Sequence, residues 1–144
     1  MIKISKMADY AVVVLGSMAQ EPENLMSAAS LSSLLGLPEP TVAKTLKMLS
    51  AVDLVVSVRG AGGGYKLHRA AEDISILEVI TGIDGPVAVV SCVDADIDDC
   101  RLQGTCCVRG RWDGVNAVIK SALADMTLAE MLAPNKVASG YGCQ

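Results

Sequence analysis

A chain of 144 residues, 51% of them hydrophobic, can bury one core, and without any phenylalanine that core must come from Leu, Val, Ile, Met and Ala, which suits helices. The formal net charge of −4 divides into +2 over residues 1–70 and −6 over residues 71–144, as fits a part that faces nucleic acid joined to an acidic regulatory part. No apolar run reaches the ~18 residues of a membrane span, the start MIKISKMADY lacks the pattern of a secretory signal, and five cysteines, an odd number, argue against a disulfide framework; a cytoplasmic chain with reduced thiols is expected.

Ser5 is placed to cap a first helix that runs to about Ala19. Met7, Tyr10, Ala11, Val14, Leu15 and Met18 recur at helical spacing, and Val12, Val13 and Gly16 on the other side are also apolar or small. A helix with two such faces is expected to be buried on both, one against its own domain and one against a second subunit. Asp9 lies on that second face, an odd place for a carboxylate without a partner.

After a polar turn, Ser27 caps a short helix over 28–35 that Gly36 ends. In the following LPEPTVAKTLKMLSAV, Pro38 and Pro40 are tolerable only in a first turn. Val42, Leu46 and Leu49 form its inward stripe, with Thr41, Lys44, Thr45 and Lys47 around the remaining surface. Two short helices about a glycine-containing turn, the second basic near its start, make a helix-turn-helix pattern, with an ordinary helical hairpin as the alternative. The run from Leu54 to Val58, the turn Arg59-Gly60-Ala61-Gly62-Gly63-Gly64 and the returning strand from Tyr65 to His68 decide for the first, because helix-turn-helix followed by such a hairpin is a winged helix. Arg59 and Lys66 at the base of the wing can reach phosphates or a narrow minor groove. His68 reads as a surface polar residue of the wing strand.

Ser75 and Glu78 form a capping box for a helix ending near Gly82. Next comes SCVDADIDDCRLQGTCCVRGR, which holds Cys92, Cys100, Cys106 and Cys107 together with Asp94, Asp96, Asp98 and Asp99. Ionised groups at this density repel one another unless a cation or an iron centre offsets them. Zinc is a poor fit, because seven residues separate Cys92 from Cys100 and five separate Cys100 from Cys106, without a close ligand pair. Calcium fails because Asp99 and Thr105 stand where its loop needs Gly and Glu. Three widely spaced thiolates can wrap an iron–sulfur cluster; on spacing alone, an acidic loop with unligated thiols stays equally open. Trp112, Val115, Ile119, Leu123 and Met126 then form one stripe of a long helix ending near Asp125. Thr127 and Glu130 box a short last helix, and a flexible tail containing Cys143 as a free thiol is expected from Ala133.

KISKMADYAV, LPEPTVAKTLKML, SVRGAGGGYKLHR, ISILEVITGIDGP, the Cys92…Cys100…Cys106 triplet, VRGRW and TLAEML together resemble the bacterial winged-helix regulators that include the iron–sulfur regulator IscR and the nitric-oxide sensor NsrR. The resemblance spans about residues 1–132 and lies nearest the branch regulating the SUF iron–sulfur assembly system. It implies a mainly α fold with a small β-hairpin wing and a long C-terminal dimerisation helix. The implied division is 1–70 for DNA binding, 71–132 for the cluster loop and dimerisation, and 133–144 for the tail. It also implies a homodimer on double-stranded DNA, without membrane or small-molecule substrate, and a cluster, [2Fe-2S] or [4Fe-4S], on Cys92, Cys100 and Cys106. Cys107 is a weaker ligand candidate. In the IscR branch a histidine three positions past the third cysteine completes the set; here that position is Arg109, which stays protonated. The resemblance to NsrR implies Asp9, supplied by the partner subunit, as the fourth ligand, against its plain role as a helix-start charge. Glu39, Thr41, Lys44, Lys47, Arg59 and Lys66 are the expected DNA-binding residues. The expected function is a transcription regulator, a repressor of iron–sulfur assembly genes, and not an enzyme. The alternatives are a winged-helix regulator using its cysteines as a redox switch or zinc site, and a cluster carrier that does not act on DNA.

Overall fold

The computed structural model describes residues 3–93 and 104–134. Ser5 opens α1 (Lys6–Gln20), its hydroxyl accepting a hydrogen bond from the Ala8 amide at 3.0 Å. Ser27 opens α2 (Ala28–Leu35) with a box in which Ser30 takes the place usually held by Glu; each hydroxyl accepts from the other residue's amide. Gly36, at φ 66°, ends α2 in the left-handed region that glycine adopts without strain. The Pro38 carbonyl then accepts from the Thr41 and Val42 amides and starts α3 (Glu39–Ala51), with Pro40 in the first turn as expected.

Two antiparallel strands follow, β1 (Val55–Val58) and β2 (Gly64–Leu67), in a register that runs from Val55 opposite Leu67 to Val58 opposite Gly64. A Cβ on Gly63 would lie 2.2 Å from the Val58 carbonyl oxygen, so the tight turn depends on glycine there. Met26, just before α2, pairs with Tyr65 through amide–carbonyl bonds of 2.9 and 2.8 Å and fastens the hairpin to the entrance of α2. Mainly helical, with one antiparallel hairpin among the described residues, this is a winged helix-turn-helix.

The core joins residues from both sides of position 70. Val14, Leu15, Leu31, Leu46, Leu49, Ile74, Val79 and Leu128 are all fully buried in one cluster. Each such leucine contributes about 1.5–3 kcal/mol by leaving water. After a 3-10 turn at Ala71–Asp73, α4 (Ile76–Asp84) runs past the expected end at Gly82. A Cβ on Gly82 would meet Val52 Cγ2 at 2.8 Å, so this glycine serves helix packing and Gly85, at φ 87°, ends the helix. The capping boxes of α4 and of α6 (Leu128–Leu132) lie side by side: the Ile76 amide donates to the Met126 carbonyl at 2.9 Å and the Leu128 amide to the Ile74 carbonyl at 2.8 Å.

The expected placement of one side chain changes, and two helix faces expected to meet a second subunit are open in the single chain. Thr45 is fully buried instead of lying on the surface of α3; its hydroxyl donates to the Thr41 carbonyl at 2.8 Å and sits 3.2 Å from Met7 Sδ, because α1 crosses that face. The second face of α1 is only part-covered: Gly16 is buried against Leu132 of α6, while Asp9 and Val13 are exposed in the single chain. On α5 (Trp112–Asp125), Ile119 and Leu123 of the expected stripe are half-buried, but Trp112, Val115 and the following Met126 are exposed. Short α6 packs elsewhere, on α1, and leaves that side of α5 open.

Arg69, leaving the wing, braces it to α4. Its guanidinium donates to the Asp73 carbonyl at 2.9 Å and to Glu78 Oε1 at 2.8 Å. The Ser75 amide, donating to Glu78 Oε2, holds the Glu78 carboxyl below the usual carboxylate range; burial opposes this and Arg69 adds to it. A depressed pKa means stability that is complete above the ordinary glutamate pKa and lost as pH falls through the lowered folded value. In acid melts, Glu78→Gln is therefore expected to lose less stability than wild type across that window. The difference is about 1 kcal/mol or less, since the pair is largely solvated. Parallel melting curves would remove Glu78 from the account of acid lability.

Candidate functional site

The helix-turn-helix and wing place a group of polar and basic side chains outside the core. Val42, Leu46 and Leu49 point inward, so Glu39, Lys44 and Lys47 of α3 are exposed and Thr41 is half-buried. Arg59 follows β1 and is exposed at the turn; Lys66, opposite Val56, is half-buried on β2. Strand alternation explains this last placement: Leu67 is buried and Tyr65 packs on the core, which sends Lys66 to the other face. His68 is exposed, its amide donating to the Leu54 carbonyl at 3.1 Å, at the end of the wing as expected. Lys44 and Lys47 present charge from a helix held by α1, α2 and β1, while Arg59 stands on a hairpin held by Met26. Cations on a rigid frame can meet phosphates without ordering their support first.

The cysteines lie on the other side of α4 in sequence. Cys92 is an exposed free thiol in a 3-10 turn, Ser91–Val93, that packs against α5. Cys106 is half-buried and Cys107 exposed in the turns leading into α5, and both are free thiols. Cys100, Asp94, Asp96, Asp98, Asp99, Cys143 and residues 135–144 lie outside the described residues. Among the described residues, no three His, Cys, Asp or Glu side chains come together as a metal site, so Asp9 forms none with Cys92 and Cys106 of its own chain. Cys92, in a turn packed on α5, and Cys106, just before α5, are not in disulfides among the described residues, and soft sulfur donors of this kind could hold an iron–sulfur cluster.

Two anchors of this region escape sequence patterns. Asn116 is buried in α5 and its Oδ1 accepts from the Val89 amide at 3.1 Å, fixing the segment before Cys92. The one sequence signal is an amide side chain among apolar neighbours. The Ser5 hydroxyl donates to Asp84 Oδ1 at 2.6 Å across 79 positions, and no local pattern marks that contact.

Among the described residues, no helix is long and apolar enough to cross a membrane. A family model described as "Rrf2: Iron-dependent Transcriptional regulator" matches residues 4–134. The HTH-type transcriptional regulator IscR of Vibrio atlanticus (strain LGP32) is 30% identical over 137 residues, covering 94% of this chain and 78% of its own. The structure of T. potens IscR superposes with a TM-score of 0.68 at 30% identity, covering 91% of this chain and 86% of that one. CymR (YrzC), the global cysteine regulator of B. subtilis, gives a TM-score of 0.68 at 25% identity over 92% of this chain and 97% of its own.

Proposed function

Because the chain belongs to the Rrf2 family of transcriptional regulators, we propose that it binds operator DNA as a cytoplasmic homodimer whose affinity is set by an iron–sulfur cluster on Cys92, Cys100 and Cys106. Residues 1–70 read DNA, and residues 71–132 hold the cluster and pair the subunits. The observation that carries this reading is the pairing, in one chain, of a winged helix with exposed Lys44, Lys47 and Arg59 and a cysteine stretch whose ends return to α5. Likeness to two IscR proteins and to a family described as iron-dependent supports an iron-responsive transcription regulator; we take its targets to be iron–sulfur assembly genes, those of the SUF type included, which it represses. The exposed side of α5, with Trp112, Val115 and Val118, and the open side of α1, with Asp9 and Val13, provide apolar surface for a second copy. When bound, the cluster supplies a labile charged centre; the dimers with and without it differ in DNA affinity, which is the linkage that makes a sensor.

Anaerobic purification tests the reading. Iron and sulfide in equal amounts, a visible chromophore and salt-dependent binding to promoter DNA are expected. Likeness to a global cysteine regulator favours a second reading, with the thiols as a redox switch on the same DNA-binding frame. Colourless protein whose DNA binding responds to oxidant and reductant would establish that alternative.

Asp9 of the partner subunit completes the ligand set in this proposal. An exposed carboxylate on the open side of α1 is free to meet a cation from another chain, and an oxygen ligand is readily displaced. Asp9→Ala is expected to shorten the lifetime of the chromophore in air and to alter its spectrum. An unchanged spectrum and lifetime would leave Asp9 as a charge complementing the start of α1.

A further inference from the structure

The geometry points to Asp84 as a positioning residue that, through its hydrogen bond with Ser5, couples the segment bearing the first cysteine to the DNA-reading helix. The inference rests on the reading of that cysteine as part of the sensing site. Asp84 is the last residue of α4. Its Oδ1 accepts from the Ser5 hydroxyl at 2.6 Å and its Oδ2 lies 3.4 Å from the Ser5 amide. Ser5 also caps α1 by accepting from Ala8, so one side chain joins the end of α4 to the start of α1. Two residues into α1, Met7 Sδ contacts the buried hydroxyl of Thr45 on α3, which lies next to Lys44 in the chain.

On the other side of Asp84 the backbone is made to turn and has room to do so. Gly85, at φ 87°, adopts a conformation that other residues resist. Residues 85–89 form one wall of a cleft of about 470 Å³ whose other walls include Ile80, Ile119 and Leu123. Packed interiors resist displacement, but a segment beside open space can shift without overpacking its neighbours. The far end of the segment is held by Asn116, and Cys92 follows three residues after Val89. A pull on Cys92 is therefore resisted at Val89 and at Asp84, and the second point hands it to α1. Coupling of this kind needs contiguous contacts with two arrangements, and the Asp84–Ser5–Met7–Thr45 series supplies the contacts.

The experiment uses the full-length dimer with and without reconstituted cluster. Asp84→Ala removes the acceptor. Ser5→Asp keeps a good helix cap but sets a carboxylate against Asp84. The double variant Ser5→Asp, Asp84→Asn restores a donor–acceptor pair with the roles reversed. Hydrogen exchange on the cluster-free proteins reads the link directly: both single variants are expected to speed exchange at Ala8 and Asp9 together with Val89, and to leave the wing unchanged. No joint change would overturn the link. The ratio of DNA affinities, loaded over empty, reads its use. A wild-type ratio of roughly 5–150-fold is typical of coupled sites; it is expected to collapse towards one in each single variant at unchanged iron content and to recover in the double variant. A wild-type ratio in the single variants, or collapse without recovery, would overturn the role of the Asp84–Ser5 bond. If wild type itself shows no ratio, the sensing reading fails, and the exchange result still decides the link.

Discussion

Replacing Cys92, Cys100 or Cys106 with alanine is expected to abolish the visible chromophore of the anaerobically purified protein and leave a folded dimer. A cluster held by three thiolates loses a bond to iron with each of them, and alanine offers no replacement donor. Survival of the fold follows from placement: Cys92 is exposed, Cys106 is half-buried, and neither belongs to the core clusters. Surface substitutions of this kind cost about 0.5 kcal/mol or less. Cys107→Ala is the internal control. Its thiol is exposed beside Cys106, and its removal should leave iron and sulfide at wild-type content. Full iron and sulfide in Cys100→Ala would sink the ligand assignment, whereas loss of the chromophore in Cys107→Ala would bring that thiol into the ligand set.

Removing Arg59 and Lys44 together is expected to give the largest loss of DNA affinity. Arg59→Ala should cost about 1–3 kcal/mol and relax preference at the position it reads, because a guanidinium in a groove makes directed contacts. Lys44→Ala should weaken all sequences alike and reduce the slope of affinity against salt by about one, the signature of one phosphate contact. Both side chains are exposed and outside the core, so Tm should not move. Unchanged affinity in the double variant at low and moderate salt would reject α3 and the wing as the DNA-binding surface.

The elements of this chain were legible in its sequence wherever the cause is local. Ser5, Ser27, Ser75 and Thr127 each accept from an amide three residues on, so the four helix starts could be read directly. Gly36, Gly60 and Gly63 mark turns because backbone geometry requires them. The inward stripe of Val42, Leu46 and Leu49 follows from helical spacing alone. From these the winged helix follows, and with it the exposure of Lys44, Lys47 and Arg59.

Tertiary structure decided what depends on a neighbour distant in sequence. Thr45 reads as a surface residue until α1 brings Met7 across it. Gly82 reads as a helix end until Val52 packs into the space it leaves. Met26 carries no strand signal of its own, yet it holds the wing through Tyr65. The open sides of α1 and α5 exist because α6 is too short to cover both, a matter of how elements are arranged and not of their periodicity. Ser5 and Asp84 meet for the same reason. The sequence alone determined which residues turn, cap and face inward, since those forces act within one turn of chain; contacts across 79 positions appear only once packing has brought the helices together.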